Sequence, residues 1–546
     1  MTEVTEGDCP GPIARARLSW AVELDAFRID PTRYVAGRLW RLRGYRQRAR
    51  NYLAPLRGQA RDAYRLWIAG REGKEPAAAA GAWSERILPV VEYDGDDESL
   101  RATLESIAQA APGARPILVE TRGGQRLVHG SERIAALRDQ DMVWVCPLRA
   151  GDRLAPWAFA RYSEVIAASD GEQVIYSDDD LLNGAGRRTE PHLKPDWNPD
   201  LFGHHDYLSG ACVLRVPSAV LGRLGASGWA EGFLRQAVRE GAKPIHIRSV
   251  LHHRSSRPVP GALSLTPSLD RSRNPSVSVI IPTRDHARLL RKCLAGLGQT
   301  DYPDVETIVV DNGSQEPDAL ELLDSVAGSG GVVLRQPGPF NYSALNNAAV
   351  GQATGEYLCF LNNDVEMLAA DWLAVLVAQA MRPQIGAVGA RLLYPDGSIQ
   401  HAGVVLGVGG GAGHAHRFQA AGETGYFHRA ALPQQVSAVT GACLVVARDK
   451  FLSVGGFDEQ AFPIAFNDVD LCLRLNDRGW QSLYEPRATL VHHESKSRGQ
   501  DSARGNRDRF ARELAELKRR WSTDGRVDPF HHPGLSPYSE RFVLDV

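Results

Sequence analysis

The chain repeats itself, and that repeat limits its architecture more than any other feature. A strand-like run, a helical stretch and a second run ending in an acid lead from Ile87 to Glu120, 33 positions on, and the same succession leads from Val277 to Asp311, 34 positions on. Val174-Ile-Tyr-Ser-Asp-Asp-Asp180 parallels Cys359-Phe-Leu-Asn-Asn-Asp364, both apolar strands running into a polar, carboxylate-bearing end. Leu208-Ser-Gly-Ala-Cys-Val-Leu-Arg215 parallels Val439-Thr-Gly-Ala-Cys-Leu-Val-Val-Ala-Arg448, and Val250-Leu-His-His-Arg254 parallels Leu490-Val-His-His-Glu494. Alternating strand and helix texture alone would not bring back Gly-Ala-Cys and His-His in the same order. The repeat predicts two copies of one α/β domain, each a parallel sheet of βαβ units.

A chain of 546 residues has room for them, since single cores stop growing well below that length. The segments expected are a basic helical N-terminal region (1–80), a first α/β copy (84–262), a Pro/Ser/Arg-rich linker (263–275), a second copy (276–505) and a helical C-terminal tail (506–546). With 63 Lys+Arg against 65 Asp+Glu there is no basic excess to suggest nucleic acid. Seven scattered cysteines without a CxxC pair fit a reducing cytosol rather than a disulfide framework. No run approaches the roughly 20 apolar residues of a membrane span, and the first residues lack a secretory signal's basic and apolar regions. A cytoplasmic protein is expected.

One segment stands apart. Between Arg33 and Arg65 lie ten arginines and a single acid, Asp62, interleaved with Leu39, Trp40, Tyr45 and Leu53. This reads as basic amphipathic helix, interrupted near Pro55. Two readings fit: peripheral docking on an anionic inner membrane face or an acidic partner, and a solvated helix packed on the next domain.

In open α/β sheets, ligands collect at the carboxyl ends of the strands. In the second copy these ends carry Pro282-Thr-Arg-Asp285, Asp311-Asn-Gly-Ser314, Asn362-Asn-Asp364 and His492-His493. Asp311-Asn-Gly is a turn signal, and an acid at that place can also bond a base or ribose. Asp364 fits either a helix N-cap or a ligand for Mg²⁺ or Mn²⁺, which takes one or two carboxylates together with water and phosphate oxygens. Asp468, near the start of a helix, fits a capping residue or a general base, with Asp470 as its support. The run from Gly407 to Gly413 lacks the Lys-Ser/Thr of a P-loop and reads as a flexible loop, and the histidines around it (401, 414, 416, 428) lack zinc spacing.

Taken together, Val277-Ser-Val-Ile-Ile-Pro-Thr-Arg-Asp285, Ile308-Val-Val-Asp-Asn-Gly-Ser314, Phe360-Leu-Asn-Asn-Asp364, Thr440-Gly-Ala442, Phe466-Asn-Asp-Val-Asp-Leu-Cys-Leu-Arg474 and Val491-His-His493 resemble glycosyltransferase family 2, with its GT-A fold. The likeness is to tandem-domain bacterial enzymes of the rhamnosyltransferase and O-antigen type. It covers roughly 276–500 strongly, extends to the first copy through Tyr176-Ser-Asp-Asp-Asp180 and Lys194-Pro-Asp-Trp-Asn-Pro-Asp200, and reaches the end of the chain through Asp528-Pro-Phe-His-His-Pro-Gly-Leu535. Asn341-Tyr-Ser-Ala-Leu-Asn-Asn347 matches a segment such proteins carry before the metal motif.

The resemblance implies two tandem GT-A domains and an inverting, metal-assisted transfer from a nucleoside-diphosphate sugar to a hydroxyl of a glycan or lipid-linked glycan. It implies Pro282, Thr283, Asp285 and Asp311 on the nucleoside, with Asn362 and Asn363 nearby. Asp364 and His493 would serve a divalent cation, with His492 as the other choice. Thr440, Gly441 and Ala442 would face the acceptor, and Asp468 would be the catalytic base. Asn362 departs from the family's first metal-motif carboxylate, and Asn467 from its frequent Glu before the base. In the first copy, aligning Gly241 with Gly479 sets Ala230 opposite Asp468. That copy is expected to be a weak or inactive site serving as a scaffold, although Asp178, Asp179 and Asp180 remain candidates for a metal. The rival readings are a non-catalytic nucleotide-sugar-binding scaffold and a nucleotidyltransferase. The latter would carry a Gly-rich basic loop after the first strand, and Pro282-Thr-Arg-Asp285 is not such a loop.

Overall fold

A computed structural model describes residues 11–72, 87–122, 125–137, 140–169, 171–260, 274–493 and 507–546. The expected linker falls almost wholly outside these residues. Two sheets organise the chain. The first contains β1 (Ile87–Tyr93), β2 (Ile117–Arg122), β3 (Gln125–His129), β4 (Met142–Arg149), β5 (Arg153–Leu154), β6 (Val174–Leu182), β7 (Arg188–His192), β8 (Cys212–Pro217) and β9 (Ile245–Arg254). The second contains β10 (Val277–Thr283), β11 (Val305–Asp311), β12 (Val332–Arg335), β13 (Tyr357–Leu361), β14 (Val365–Met367), β15 (Ile385–Leu393) and β16 (Ile399–His401). A separate hairpin of β17 (Val404–Leu406) and β18 (Ala412–His414) follows, before β19 (Gln434–Val436), β20 (Cys443–Ala447) and β21 (Gln481–His492) return to the sheet.

The spatial orders are β3-β2-β1-β4-β8-β6-β9-β5 and β12-β11-β10-β13-β20-β15-β21-β14. Position for position the two coincide. Both are mixed rather than parallel, because β8 and β20 run against both of their neighbours. They differ at the outer edge, where β2–β3 is antiparallel and β11–β12 parallel. Each sheet buries both faces through the period-two alternation of its strands. Val277, Val279 and Ile281 enter one core and Ile280 the other, just as Leu88 and Val90 part from Ile87 and Val91 in the first sheet.

This order corrects one of the paired landmarks. Asp178, Asp179 and Asp180 lie on β6, whose counterpart is β15. The counterpart of β13 is β4, which leads into Arg149-Ala-Gly-Asp152. Where the second copy has Asn362-Asn-Asp364, the first therefore has an arginine and a glycine turn.

Nor are the three aspartates open to a metal. Asp178 meets His246 at 3.1 Å and His532 at 2.9 Å. Asp179 meets Lys194 at 2.7 Å and Arg257 at 2.5 Å. Asp180 accepts from Tyr64 and Arg188, both at 2.6 Å, and meets His253 at 2.7 Å. All three are fully buried. Burial alone would raise the Asp178 and Asp179 carboxyls, but the cations around them hold both well below the usual range. They fasten the N-terminal helices and the C-terminal segment to the first sheet.

Four N-terminal helices, α1 (Pro12–Ile29), α2 (Pro31–Leu42), α3 (Arg46–Gly58) and α4 (Ala63–Arg71), pack beside it. The basic helix is not broken at Pro55, which sits inside α3. The proline leaves the Asn51 carbonyl without its intrahelical donor, and Arg33 Nη2 donates to that carbonyl at 3.2 Å. The chain turns instead at Gly44, whose φ of 83° is open to glycine without strain.

The C-terminal tail is helical only over Arg507–Trp521. Beyond it the chain runs along the seam between the two copies. Asp528 accepts from the Leu406 amide, Pro529 O from the Asp196 amide, Phe530 O from Arg429, and Gly534 O from Trp67. Direct contacts add to the seam: Asn198 Nδ2 donates to Gln435 O at 2.9 Å, and Arg382 pairs with Asp200 at 2.5 Å.

Candidate active site

A cavity of about 660 Å³ opens at the carboxyl ends of β10 and β13. Pro282, Thr283, Asp285, Asn362, Asn363, Asp364, Thr440, Gly441, Ala442 and Asp468 all line it. Sequence positions almost 190 residues apart thus meet in one cleft, as the rule for strand ends requires.

At one end, Asp285 Oδ1 accepts from the amides of Gln315 (2.7 Å) and Glu316 (2.9 Å). Those amides hold its carboxyl below the usual range. Asp285 and His286 both adopt φ of 53°, a left-handed backbone that residues other than glycine seldom take. Asn363 Nδ2 donates to Thr283 Oγ1 at 2.9 Å, tying β10 to the turn after β13. Asp311 is fully buried beneath this end and is not part of the lining. Its Oδ1 accepts from the Ser314 amide at 2.9 Å, closing the turn, and its Oδ2 lies 3.2 Å from Arg335.

Asp364 is not a helix cap. β14 follows it directly, and the next helix, Trp372–Ala380, starts after Asp371. Its Oδ1 lies 3.0 Å from Nε2 of His492. The structure therefore brings His492, not His493, to Asp364. His493 points to the other side of the strand, 3.3 Å from Glu366, because neighbouring residues on a strand face opposite ways. Nδ1 of His492 is 2.7 Å from Gln400 Oε1, which holds the ring with Nε2 toward Asp364. An outer partner of this kind orients an imidazole for a cation.

Among the described residues no group of three His, Cys, Asp or Glu side chains converges to hold a metal. The donors present are one carboxylate and one imidazole. That set fits Mg²⁺ or Mn²⁺ where substrate phosphates and water complete the coordination, and would be too sparse for a cation held by protein alone.

Asp468 lines the same cleft. It sits in the first turn of the helix Asn467–Asp477, one residue past the start, while the N-cap is Phe466 with φ of 61°. Backbone strain of this sort costs about 1–3 kcal/mol and persists where the surroundings impose it. The helix Trp229–Arg239 of the first copy begins likewise after a left-handed residue, Gly228, which confirms Ala230 as the counterpart of Asp468.

Asp468 Oδ2 accepts from the Gly441 amide at 2.8 Å and Oδ1 from the Val469 amide at 2.8 Å. A Cβ on Gly441 would come within 3.2 Å of the Tyr342 hydroxyl and 3.5 Å of Asp468 Cβ, so glycine permits the close approach. Burial raises the Asp468 carboxyl, and the amides and the Thr440 hydroxyl only partly offset it. Asp470 points away from the cleft, to Arg474 (2.8 Å), Arg520 (3.0 Å) and Trp521 (3.0 Å), and anchors the helix.

Several lining residues escaped the sequence reading. Gln400 and His414 come from β16 and β18. The glycine-rich run is no flexible loop, because it folds as the tight β17–β18 hairpin and forms one wall. Arg509 arrives from the helix after the second copy. In that helix the buried Glu513 accepts from the Ile464 and Ala465 amides and holds the loop before Asp468. The charged, amphipathic character of 507–521 was the one available signal for it.

Comparison with known proteins adds a family. The model described as glycosyl transferase family 2 matches residues 278–406. The uncharacterized protein y4gI of Sinorhizobium fredii is 38% identical over 499 residues, covering 82% of this chain and 54% of that protein. The O-antigen biosynthesis protein RfbC of Myxococcus xanthus is 36% identical over 517 residues, covering 80% of this chain and 40% of its own length. The chain thus spans about half or less of these two relatives. An N-acetylglucosaminyl-diphospho-decaprenol L-rhamnosyltransferase of Mycobacterium tuberculosis is 31% identical over 235 residues, 39% of this chain and 75% of that enzyme.

Proposed function

This chain belongs to glycosyltransferase family 2, and we propose that its second α/β copy transfers a sugar, with inversion, from a nucleoside diphosphate to a hydroxyl of a bacterial surface glycan. The observation that carries the proposal is that Asp364, His492 and Asp468 line one and the same cleft.

The chemistry follows from the groups present. The acceptor oxygen bonds to the anomeric carbon as the bond from that carbon to the diphosphate oxygen breaks, and the acceptor proton passes to Asp468. A carboxyl raised by burial is a better proton acceptor than an exposed one. The Gly441 and Val469 amides fix its orientation before the acceptor arrives. Asp364 and His492 would hold Mg²⁺ or Mn²⁺, which when bound offsets charge on the departing diphosphate. Gln400 holds the His492 ring in place, and Asp285 and Thr283 shape the nucleoside end. No enzyme nucleophile is needed. The first copy, with Ala230 for Asp468 and Arg149-Ala-Gly for the Asn-Asn-Asp turn, acts as a scaffold.

The test is release of nucleoside diphosphate from a panel of UDP-, GDP-, dTDP- and CDP-sugars with Mg²⁺ or Mn²⁺. One donor class should be turned over, and a chelator should abolish the release. Gln400→Ala should weaken metal dependence about 10–100-fold, the usual effect of losing an outer partner. Failure of every donor to bind would refute the proposal.

A further inference from the structure

Nine of the sixteen exposed large hydrophobic side chains among the described residues lie between Ile13 and Tyr45. On α1, Ile13, Trp20, Leu24 and Phe27 follow helical spacing along one face, with Trp20 78% exposed. The opposite face, with Val22 and Ala26, packs inward. On α2, which packs against α1, Leu39 and Leu42 are exposed as well, Leu42 at 84%.

The same stretch is strongly cationic. From Pro12 to Gly58 there are eleven arginines and three acids. The acids are already used: Glu23 pairs with Arg38 and Arg57, Asp25 with Arg28, and Asp30 caps α2 through the Arg33 amide. Arg17, Arg41 and Arg46 carry no carboxylate partner among the described residues.

We infer that the α1–α2 face docks on an anionic lipid bilayer, lying in its interface. Apolar side chains including a tryptophan, bordered by unpaired arginines, are what such a surface takes up. A second copy of the chain would set arginine against arginine across the contact. No described helix is long and apolar enough to cross a membrane.

The next helix, α3, packs on α2 and reaches the hairpin at the cleft. Just beyond Tyr45, Gln47 donates to Gly409 O, and Arg50 Nη1 to the Tyr538 hydroxyl at 2.6 Å. Gly409 lies in the turn of the hairpin whose Ala412, Gly413 and His414 line the cavity. Docking would therefore bring the cleft wall close to the bilayer, where a lipid-borne acceptor is presented. This last step rests on the transferase reading above.

Sedimentation of the full chain with phosphatidylcholine vesicles, with and without phosphatidylglycerol, tests the docking. Binding is expected only to the anionic vesicles, and should weaken with salt. Trp20→Ala/Leu24→Ala should lower it about tenfold or more, and Arg41→Ala/Arg46→Ala roughly fivefold per arginine. Donor binding should be unchanged in both variants. A chain that ignores both vesicle types while still binding donor overturns the docking and leaves the transferase reading intact. Equal binding to both types overturns it too, as does self-association that Trp20→Ala/Leu24→Ala abolishes in the absence of vesicle binding. Vesicle binding without donor binding would count against the transferase reading alone.

Discussion

Transfer falls by about 10²–10⁴-fold when Asp468 becomes Asn, the range that general-base catalysis supplies. The substitution keeps the volume and an oxygen for the Gly441 or Val469 amide, so the fold and donor binding should persist. The loss belongs in kcat, since the base acts in the transition state rather than in donor capture. The pH profile carries a second signature. Only the ionised carboxylate accepts a proton, so the rate falls as pH drops through its pKa, and burial sets that limb above the ordinary carboxylate range near about 3.9. A variant within a few-fold of the parent, or a parent whose rate is flat through mildly acidic pH, would remove Asp468 from the chemistry.

Asp179→Ala should destabilise the protein by about 3–5 kcal/mol, the usual consequence of removing one partner from a buried ion pair. Lys194 is fully buried, and with Arg257 and Arg254 nearby it would be left without its counter-charge. Denaturant unfolding of the whole chain measures this directly. Asp178→Asn should act similarly but less severely, because it keeps the shape and loses the charge that His246 and His532 face. Stability within about 1 kcal/mol of the parent for Asp179→Ala, coupled to lost metal-dependent activity, would mean that the trio serves a ligand instead, since surface-like substitutions stay within that range.

The two cases show what the sequence discloses and what it withholds. Gly-Ala-Cys and His-His exposed the repeat because few constraints other than shared descent reproduce such groupings in order. The trio at 178–180 pairs with Asn362-Asn-Asp364 in sequence because each is a polar, acid-bearing end to an apolar run. Only the order of strands in space separates them, and that order is not linear in sequence: β8 and β20 insert between strands that precede them.

Choosing between His492 and His493 needed the register of β21. That strand shifts its pairing with β15 between Ala390 and Arg391, where Glu485 and Thr489 are the successive partners, so counting by twos from a distant residue does not carry through. The local rule for proline predicts an interruption near Pro55 because it takes no account of Arg33, the distant side chain that satisfies the freed carbonyl. Arg509 reaches the cleft, and Glu513 the loop beside it, only through tertiary folding. The cleft itself was legible, since its acids, amides and glycine all fall at strand ends or at a helix start, where local sequence rules and site geometry coincide.

Calorimetric titration of the whole chain with nucleoside diphosphates in the presence of Mg²⁺ or Mn²⁺ counts the donor sites. One equivalent per chain is predicted for the nucleotide that binds, lost in Asp364→Ala and retained in Asp468→Asn. Two equivalents, or one that survives Asp364→Ala, would contradict a single transferase centre in the second copy.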